Sequence, residues 1–290
     1  MNVLSFDIEE WFEILDLPES LDNKKRIARH ESRVERNTNR LLELLAVHGT
    51  KATFFMVGWL AEQHPELVKK IQAQGHEIGS HGYAHKLITQ ISPDEFRDDL
   101  VKGIHVLKNI TGEKIRSFRG PGFSITPENQ WAFKIIAECG IKYDSTVYPG
   151  KHGHGGHKNF TSQPVELALE SIGKDLFEFP ISVARILGKK MCFSGGGYFR
   201  ILPYTMIRKK MREFQSAGKP VIVYLHPRDI DPDTPRLKMP IIRRFKSYVN
   251  INGTLAKLER LLKEFAFTRL DDFYTNHYVR SGQKRIVSVQ

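Results

Sequence analysis

Acidic side chains directly follow the first apolar run of the chain. The stretch SFDIEEWF, residues 5–12, places Asp7 and Glu9 after Val3–Phe6. Residues two positions apart on an extended chain point to the same side, so one carboxylate could bind a metal ion while the other accepts a proton from water. Glu10 would then point away, toward the surface. Alternatively, Glu10 and Glu13 could cap a helix-like segment that follows.

Two histidines in SHGYAH, residues 80–85, have the spacing of metal ligands. His81 and His85 are four positions apart, and one helical turn between them would place both rings on one face. Two imidazoles and one carboxylate, with a position left for water, form a typical hydrolytic zinc site. Two hydrogen-bonded loop histidines are the alternative for such a pair alone. The nearby carboxylates favour the metal site.

Short apolar runs alternate with amphipathic segments. The sequence predicts strands at 3–6, 51–58, 76–81, 115–120, 141–145, 176–180 and 219–227, and helices at 34–48, 59–74, 93–109, 127–139, 203–217 and 254–265. This alternation predicts an α/β domain with a mainly parallel sheet, closed or partly closed into a barrel. Chemistry in such barrels gathers at the carboxyl ends of the strands. That rule selects Asp7, Glu9, His81, His85, Arg119, Asp144 and His226.

These residues, taken in order, resemble the motifs of the polysaccharide deacetylase family, the carbohydrate esterases with a NodB-type domain. The motifs are SFDIE (5–9), HGYAH (81–85), RGP (119–121), YDS (143–145) and YLH (224–226). They span residues 3–228, about four-fifths of the chain. Segments from GGGYFRILPY (195–204) onward resemble a subgroup linked to bacterial exopolysaccharide gene clusters. The sequence departs from the usual pattern at Glu9, which is displaced by one position, and at Gly82, Gly122 and Tyr224.

The resemblance implies a distorted (β/α) barrel of about seven parallel strands. It implies a deacetylase domain over residues 1–230, with a C-terminal extension over 231–290 packed on the same domain. The implied activity is hydrolysis of an N-acetyl group on an amino sugar, in a surface glycan or its lipid- or nucleotide-linked precursor. One divalent metal ion, zinc first and cobalt or nickel as alternatives, would bind Glu9, His81 and His85.

The resemblance also implies roles for the remaining polar residues. Asp7 would be the general base, and Arg119 would orient it and keep it ionised. His226 would be the general acid that protonates the leaving amine. Asp144 would hold the second ring nitrogen of His226 and raise its pKa.

Glycine-rich segments are candidates for substrate contact. The family pattern makes the amide at Gly122 an oxyanion donor, with Phe123 beside it. Tyr198 lies in SGGGYF (194–199), which lacks the phosphate-loop pattern and predicts a turn near the sugar. The histidines of GKHGHGGHKNF (150–160) could form a second metal site, but the mobility that glycine allows favours a flexible covering loop.

Composition sets further expectations. The formal net charge of +11 favours anionic partners, such as phosphates or an acidic membrane surface. Nucleic acid is not expected, because no pattern of a nucleic-acid-binding fold accompanies the charge. Neither a signal peptide nor a long apolar stretch is visible, so we expect a cytoplasmic protein, with peripheral contact at the inner membrane face as a further option. Cys139 and Cys192 are expected to be reduced.

Two other functions stay open at this point. One is a metal-independent hydrolase that cleaves a C–N bond in a non-sugar amide. The other is a catalytically silent glycan-binding protein, which the displaced acid would suit. The retained base, its arginine partner and the histidine acid favour an enzyme, because binding alone needs none of these roles.

Overall fold

Strands and helices alternate along most of the chain. The computed structural model describes residues 1–15, 30–169, 173–186, 188–279 and 286–288. The strands are β1 (Asn2–Ile8), β2 (Thr53–Met56), β3 (Glu77–Ser80), β4 (Ser117–Phe118), β5 (Tyr143–Asp144), β6 (Val165–Leu169), β7 (Lys174–Glu178), β8 (Val183–Ile186), β9 (Lys189–Cys192), β10 (Ile222–Leu225), β11 (Phe267–Thr268) and β12 (Ile286–Ser288). The α-helices are α1 (Val34–Val47), α2 (Gly58–Gln63), α3 (Pro65–Ala73), α4 (Pro93–Thr111), α5 (Trp131–Glu138), α6 (Gly196–Ile201), α7 (Tyr204–Ser216), α8 (Ile241–Tyr248), α9 (Thr254–Glu264) and α10 (Leu270–Tyr274).

One curled, mostly parallel sheet organises these elements. Its order is β10-β1-β2-β3-β4-β5-β7-β6-β12, and β11 also pairs with β1. The strands from β10 to β7 in that order are parallel, and β6 pairs with β7 in the antiparallel sense. The predicted α/β fold with about seven parallel strands is confirmed. Within the described ranges the sheet is an open half-barrel. The predicted boundary between residues 1–230 and 231–290 stays a prediction, and β11, from the second part, joins the central strand.

The central strand β1 is buried on both faces. Leu4 and Phe6 join the apolar cluster that the surrounding helices cover. Ser5 and Asp7 point to the opposite face, because side chains alternate along a strand, and both accept hydrogen bonds from Arg119. The alternation therefore places Asp7 inside the half-barrel.

The helix expected over residues 59–74 is two helices. It breaks at His64, whose φ of −129° and ψ of 56° are not helical. Pro65 follows, and proline disfavours the helical conformation for the residue before it while fitting the first turn of a new helix. The prediction of one continuous helix was wrong for this reason.

A buried lysine from α9 fixes the end of the short helix α6. The Nζ of Lys257 donates hydrogen bonds to the carbonyl oxygens of Phe199 (2.8 Å), Arg200 (3.1 Å) and Leu202 (2.8 Å). The last carbonyls of a helix have no partner within the helix, so this ammonium group satisfies them. The C-terminal part of the chain thereby holds α6, which carries Tyr198 and Arg200, in place.

The described part of the chain contains neither a disulfide bond nor a helix that could span a membrane. Cys139 and Cys192, both of which the structure describes, form no disulfide with one another. Among the helices of the described ranges, none has the length and hydrophobicity needed to cross a bilayer.

We predict that Lys257→Met lowers the free energy of unfolding by about 2 kcal/mol, because it leaves buried carbonyl oxygens without a donor. Urea unfolding followed by circular dichroism measures this. Lys263→Met is the matched control, since Lys263 is exposed and pairs only at the surface with Glu259, and it should cost less than about 0.5 kcal/mol. Equal losses in both variants would contradict the role given to Lys257.

Candidate active site

A pocket of about 310 Å³ opens at the carboxyl ends of the parallel strands. It brings together residues from the ends of β1, β3 and β10 with Gly122, Phe123 and Tyr198. The strand-end residues that line it are Asp7, Glu9, His81, His85 and His226. Arg119 and Asp144 do not line the pocket. Both are fully buried behind it.

Asp7 lies against Arg119 in a buried ion pair. The guanidinium Nη1 of Arg119 donates to Asp7 Oδ1 at 2.7 Å, and the two side chains are 0% and 3% exposed. Arg119 also donates to the Ser5 hydroxyl, to the Ser145 hydroxyl and to the Ser145 carbonyl oxygen. These bonds fix one oxygen of Asp7 and leave Oδ2 on the side of the pocket, 3.8 Å from His226 Nε2.

Glu9, His81 and His85 form a cluster with the character of a metal site. One ligand atom from each lies within 4.8 Å of the others, and all three side chains are buried. His81 Nδ1 donates to the carbonyl oxygen of Arg119 at 2.6 Å, which leaves its other nitrogen for a ligand. Burial lowers the pKa of His81 to about 4, so its ring is neutral at pH 7, as a metal ligand must be.

The contacts of Glu9 fit the same interpretation. Its Oε2 accepts from His85 Nε2 at 2.8 Å, and its buried Oε1 has no hydrogen bond within the described residues. Burial alone raises the pKa of Glu9, but Arg228, His226 and His85 outweigh it and lower the pKa. Burial alone lowers the pKa of His85, but Glu9 outweighs it and raises the pKa above the ordinary 6.5. A cation at the cluster would therefore replace the proton that His85 and Glu9 now share.

The loop that carries the two histidines is not the helical turn that their spacing predicts. Their rings lie 5.1 Å apart because the loop folds through left-handed conformations at Gly82 (φ 73°) and His85 (φ 55°). Asp99 from α4 accepts the amide hydrogens of Tyr83 (2.7 Å) and Ala84 (2.9 Å) and so holds the loop. A Cβ at Gly82 would lie 2.7 Å from the Asp99 carboxylate. Glycine at this position therefore has a local structural cause.

Two acids of the opening stretch are placed differently from expectation. Glu10 is buried rather than at the surface, and it accepts hydrogen bonds from the Ser32 hydroxyl and the Arg33 amide. Glu13 accepts the backbone N–H of Glu10 at 2.8 Å, but residues 9–15 form no helix for it to cap. It accepts from Trp59 Nε1 at 3.0 Å and reaches within 4.0 Å of His85 Nδ1. Glu13 is therefore a partner of His85 that periodicity alone did not reveal.

His226 is held by Asp229, not by Asp144 as expected. The backbone N–H and the ring Nδ1–H of His226 both donate to Asp229 Oδ2 at 2.9 Å. Asp229 also forms an ion pair with Arg200 at 2.9 Å. Burial alone lowers the pKa of His226, but Glu9 and Asp229 outweigh it and raise the pKa above its ordinary value. The acid three residues after His226, in a short 3₁₀ turn, was the signal that could have identified this partner.

Asp144 and Glu178 form a pair of buried carboxyl groups behind the pocket. Asp144 lies on β5 directly opposite Glu178 on β7. Burial raises the pKa of Asp144 to about 6, and burial together with the charge of Asp144 raises the pKa of Glu178. Such a pair retains a proton at a pH at which isolated carboxyl groups are already ionised. Within the described residues, the pair connects β5 to β7 beneath Arg119, and neither carboxyl group lines the pocket.

The substrate-binding candidates line the wall of the pocket. Phe123 packs edge-to-face on Tyr224 with ring centroids 4.8 Å apart, and Tyr224 in turn packs on His226 at 5.9 Å. The glycine-rich loop brings His152 onto Tyr148 and Phe123 rather than into a second metal cluster. Within the residues that the structure describes, the metal-type cluster is the one at Glu9.

Two segments of the chain match known family profiles. Residues 24–143 match a profile described as polysaccharide deacetylase. Residues 145–275 match a domain of unknown function, DUF3473. The resemblance to the polysaccharide deacetylase family that the motifs predict is therefore confirmed for residues 24–143.

Three known proteins illustrate the likeness. A peptidoglycan-N-acetylglucosamine deacetylase of Bacillus cereus is 38% identical over 97 residues, which are 33% of this chain and 35% of that protein. The matches to the first three relatives span about a third to a half of those proteins' lengths. A crystal structure of a Mycobacterium smegmatis protein assigned as a polysaccharide deacetylase superposes with a TM-score of 0.67, at 21% identity, over 99% of this chain and 93% of that chain. An allantoinase superposes with a TM-score of 0.63, at 16% identity, over 95% and 90%. These superpositions show the fold alone.

We predict that Asp229→Asn lowers the pKa of His226, because the charge and the hydrogen bond that favour the imidazolium are removed. An NMR titration of the histidine ring signals measures the change. Asp233→Asn is the control, since Asp233 is exposed on the same loop and its substitution should leave the His226 titration unchanged. An unchanged His226 pKa in Asp229→Asn would contradict the assigned partnership.

Proposed function

We propose that this protein is a metal-dependent hydrolase that removes an N-acetyl group from an amino sugar in a surface glycan or in its lipid- or nucleotide-linked precursor. The observation that carries the proposal is the position of Asp7 and His226. They face one another at 3.8 Å beside the cluster of Glu9, His81 and His85. One pocket thus holds a base, an acid and a set of metal ligands.

Asp7 suits the role of general base for a water molecule. The ion pair with Arg119 orients its carboxylate, and Oδ2 faces the pocket. Proton removal by a positioned carboxylate makes water a competent nucleophile toward an amide carbon. Asp7 is therefore assigned to the base and not to the metal.

His226 suits the role of general acid for the leaving amine. Asp229 holds Nδ1, so Nε2 is the atom directed at the pocket. The raised pKa keeps a proton on His226 near neutral pH, and an amine leaves an amide carbon only when protonated. The base and the acid thus come from different strands, β1 and β10.

Glu9, His81 and His85 are the residues that would hold the metal ion. A divalent ion bound there would polarise the amide carbonyl and lower the pKa of water, which is the chemistry that such ions supply. Two imidazoles and a carboxylate suit zinc, and cobalt or nickel accept the same donors. The Gly122 backbone and the rings of Phe123 and Tyr198 line the pocket where the acetylated sugar would bind.

The charges at the pocket support a phosphate-bearing substrate, with a nucleotide or a lipid as carrier. We propose in addition that the protein meets this substrate on the cytoplasmic side of the membrane. Acidic side chains lining the pocket lie at its buried floor, where Asp7, Glu9 and Glu13 are at most 4% exposed. Around the mouth the charged side chains are cationic. They are Lys151, Arg228, Arg243 and Lys246. Cations that converge on one opening favour a substrate with more than one negative charge.

We predict that Asp7→Asn lowers the rate of acetate release from chitooligosaccharides or a nucleotide-linked N-acetyl sugar by about 10² to 10⁴-fold, the usual contribution of a general base. The variant leaves the buried charge of Arg119 without its partner, so circular dichroism must show that it is folded at the assay temperature, and its metal content should equal that of wild type. Asp98→Asn, at an exposed position of α4, is the matched control and should retain full activity. An undiminished rate in Asp7→Asn would exclude the proposed mechanism, and folded wild-type protein with metal and no activity on any substrate would favour a silent glycan-binding protein.

We predict that the purified protein binds one equivalent of Zn²⁺ or Co²⁺, and that His85→Ala and Glu9→Gln weaken this binding about 10-fold or more. Calorimetry should also show weaker binding as the pH falls from about 8 to about 6, because His85 must lose its proton to bind. His105→Ala, on α4 outside the pocket, serves as the control. Full activity that resists chelators, with no metal bound, would instead support a metal-independent hydrolase.

A further inference from the structure

The helix α8 exposes an unusual apolar surface at the mouth of the pocket. Ile241 is 86% exposed, Ile242 72% and Phe245 58%. At about 100° of rotation per residue, these three side chains fall within about a third of the helix circumference. Other residues of the same helix, Arg243, Lys246 and Ser247, line the pocket. The apolar face and the pocket therefore belong to one structural element.

Cationic side chains surround this apolar face. Arg243, Arg244 and Lys246 alternate with the apolar residues along the helix, and both Arg244 and Lys246 are exposed. Ile201 at the end of α6, 41% exposed, extends the apolar surface on the pocket side. An amphipathic helix with large apolar residues and flanking cations is the kind of helix that lies in the interface of an anionic membrane.

The helix α8 is connected to the candidate acid through Arg200 and Asp229. Arg200 donates to the carbonyl oxygens of Lys246 (2.9 Å) and Ser247 (2.7 Å) at the end of α8. The same guanidinium pairs with Asp229, which holds His226. A membrane or partner protein that binds α8 is therefore held at a fixed distance from the pocket.

We propose that α8 is a docking helix that inserts Ile241, Ile242 and Phe245 into the interface of an anionic lipid bilayer and presents the pocket mouth to substrates carried by that bilayer. The docking stands on the surface of α8 alone, whereas the choice of substrate rests on the proposed deacetylase function. The class of substrate is then an N-acetylated sugar linked through phosphate to a membrane lipid.

Charge favours a bilayer over a second copy of this chain as the occupant. A twofold dimer through α8 would place the same cations of both copies in one interface. Apart from Asp7, Glu9 and Glu13 at the pocket floor, the charged residues that line the mouth are basic. Anionic headgroups instead pair with these cations, at about 1 kcal/mol for each Lys or Arg near the surface.

The test is sedimentation of the full chain with vesicles, either of phosphatidylcholine alone or of phosphatidylcholine mixed with phosphatidylglycerol. We expect binding to the mixed vesicles at low salt and about 10-fold or more weaker binding to phosphatidylcholine alone. The double variant Ile242→Asp/Phe245→Asp should bind the mixed vesicles at least about 10-fold more weakly than wild type. The matched control is Val47→Asp/Val101→Asp, which changes two exposed valines, 81% and 48% accessible, on α1 and α4. It should bind as wild type does.

Three results would overturn the proposal. If the wild-type protein does not bind the mixed vesicles, docking on an anionic bilayer is excluded. If the α8 variant binds the mixed vesicles as tightly as the valine control does, the interaction comes from the overall positive charge of the protein and not from α8. A wild-type dimer that the α8 variant converts to a monomer in size-exclusion chromatography, without vesicle binding, assigns the surface to a second copy.

Activity measurements separate this proposal from the proposed function. The α8 variant should deacetylate a soluble nucleotide-linked N-acetyl sugar at the wild-type rate, since Ile242 and Phe245 do not line the pocket. It should lose about 10-fold or more of the rate on a polyprenyl-diphosphate-linked sugar in the mixed vesicles. Equal rates of the variant and wild type on the vesicle-bound sugar exclude docking as the route to substrate. Absence of activity on both sugars in wild type would contradict the deacetylase function, and the vesicle-binding result would stand separately.

Discussion

The buried ion pair between Arg119 and Asp7 is the interaction on which the site depends. Arg119 is fully buried, and its guanidinium lies 4.4 Å from the Phe55 ring centre while it bonds Ser5, Asp7 and Ser145. A buried charge is costly unless paired, so removing either partner leaves the other uncompensated. The pair joins β1 to β4 and to the end of β5. It positions the base before any substrate or metal binds.

Both family-matched segments contribute to one pocket. The segment matched as polysaccharide deacetylase supplies His81, His85 and Arg119, and the stretch before it supplies Asp7 and Glu9. The domain of unknown function supplies His226, held by Asp229 and Arg200. The parallel pairing of β1 with β10 brings these parts together. The segment matched by the second profile thus supplies part of the candidate active site.

The sequence allowed prediction of those features whose signals are local. An example is the capping box of α4, a Ser followed three residues later by a Glu, for which Ser92 and Glu95 form both hydrogen bonds. The rule that polar residues gather at strand ends identified the strand-end residues that line the pocket. Partners set by tertiary packing were not visible. Asp144 faces Glu178 because β5 pairs with β7. The contact of Glu13 with His85 depends on the left-handed loop conformation at Gly82 and His85, which the spacing of the two histidines does not reveal.

Glu9 is displaced by one position from the usual motif of the polysaccharide deacetylase family, and whether it binds the metal decides the central claim. A crystal of the protein soaked with Zn²⁺ and measured at the zinc absorption edge locates the ion by anomalous scattering. The account predicts one strong peak about 2.0–2.2 Å from an oxygen of Glu9 and about 2.0–2.1 Å from a nitrogen of His81 and of His85, with Asp7 still bonded to Arg119. A peak bound to Asp7 without Glu9, or no peak at this cluster, would contradict it.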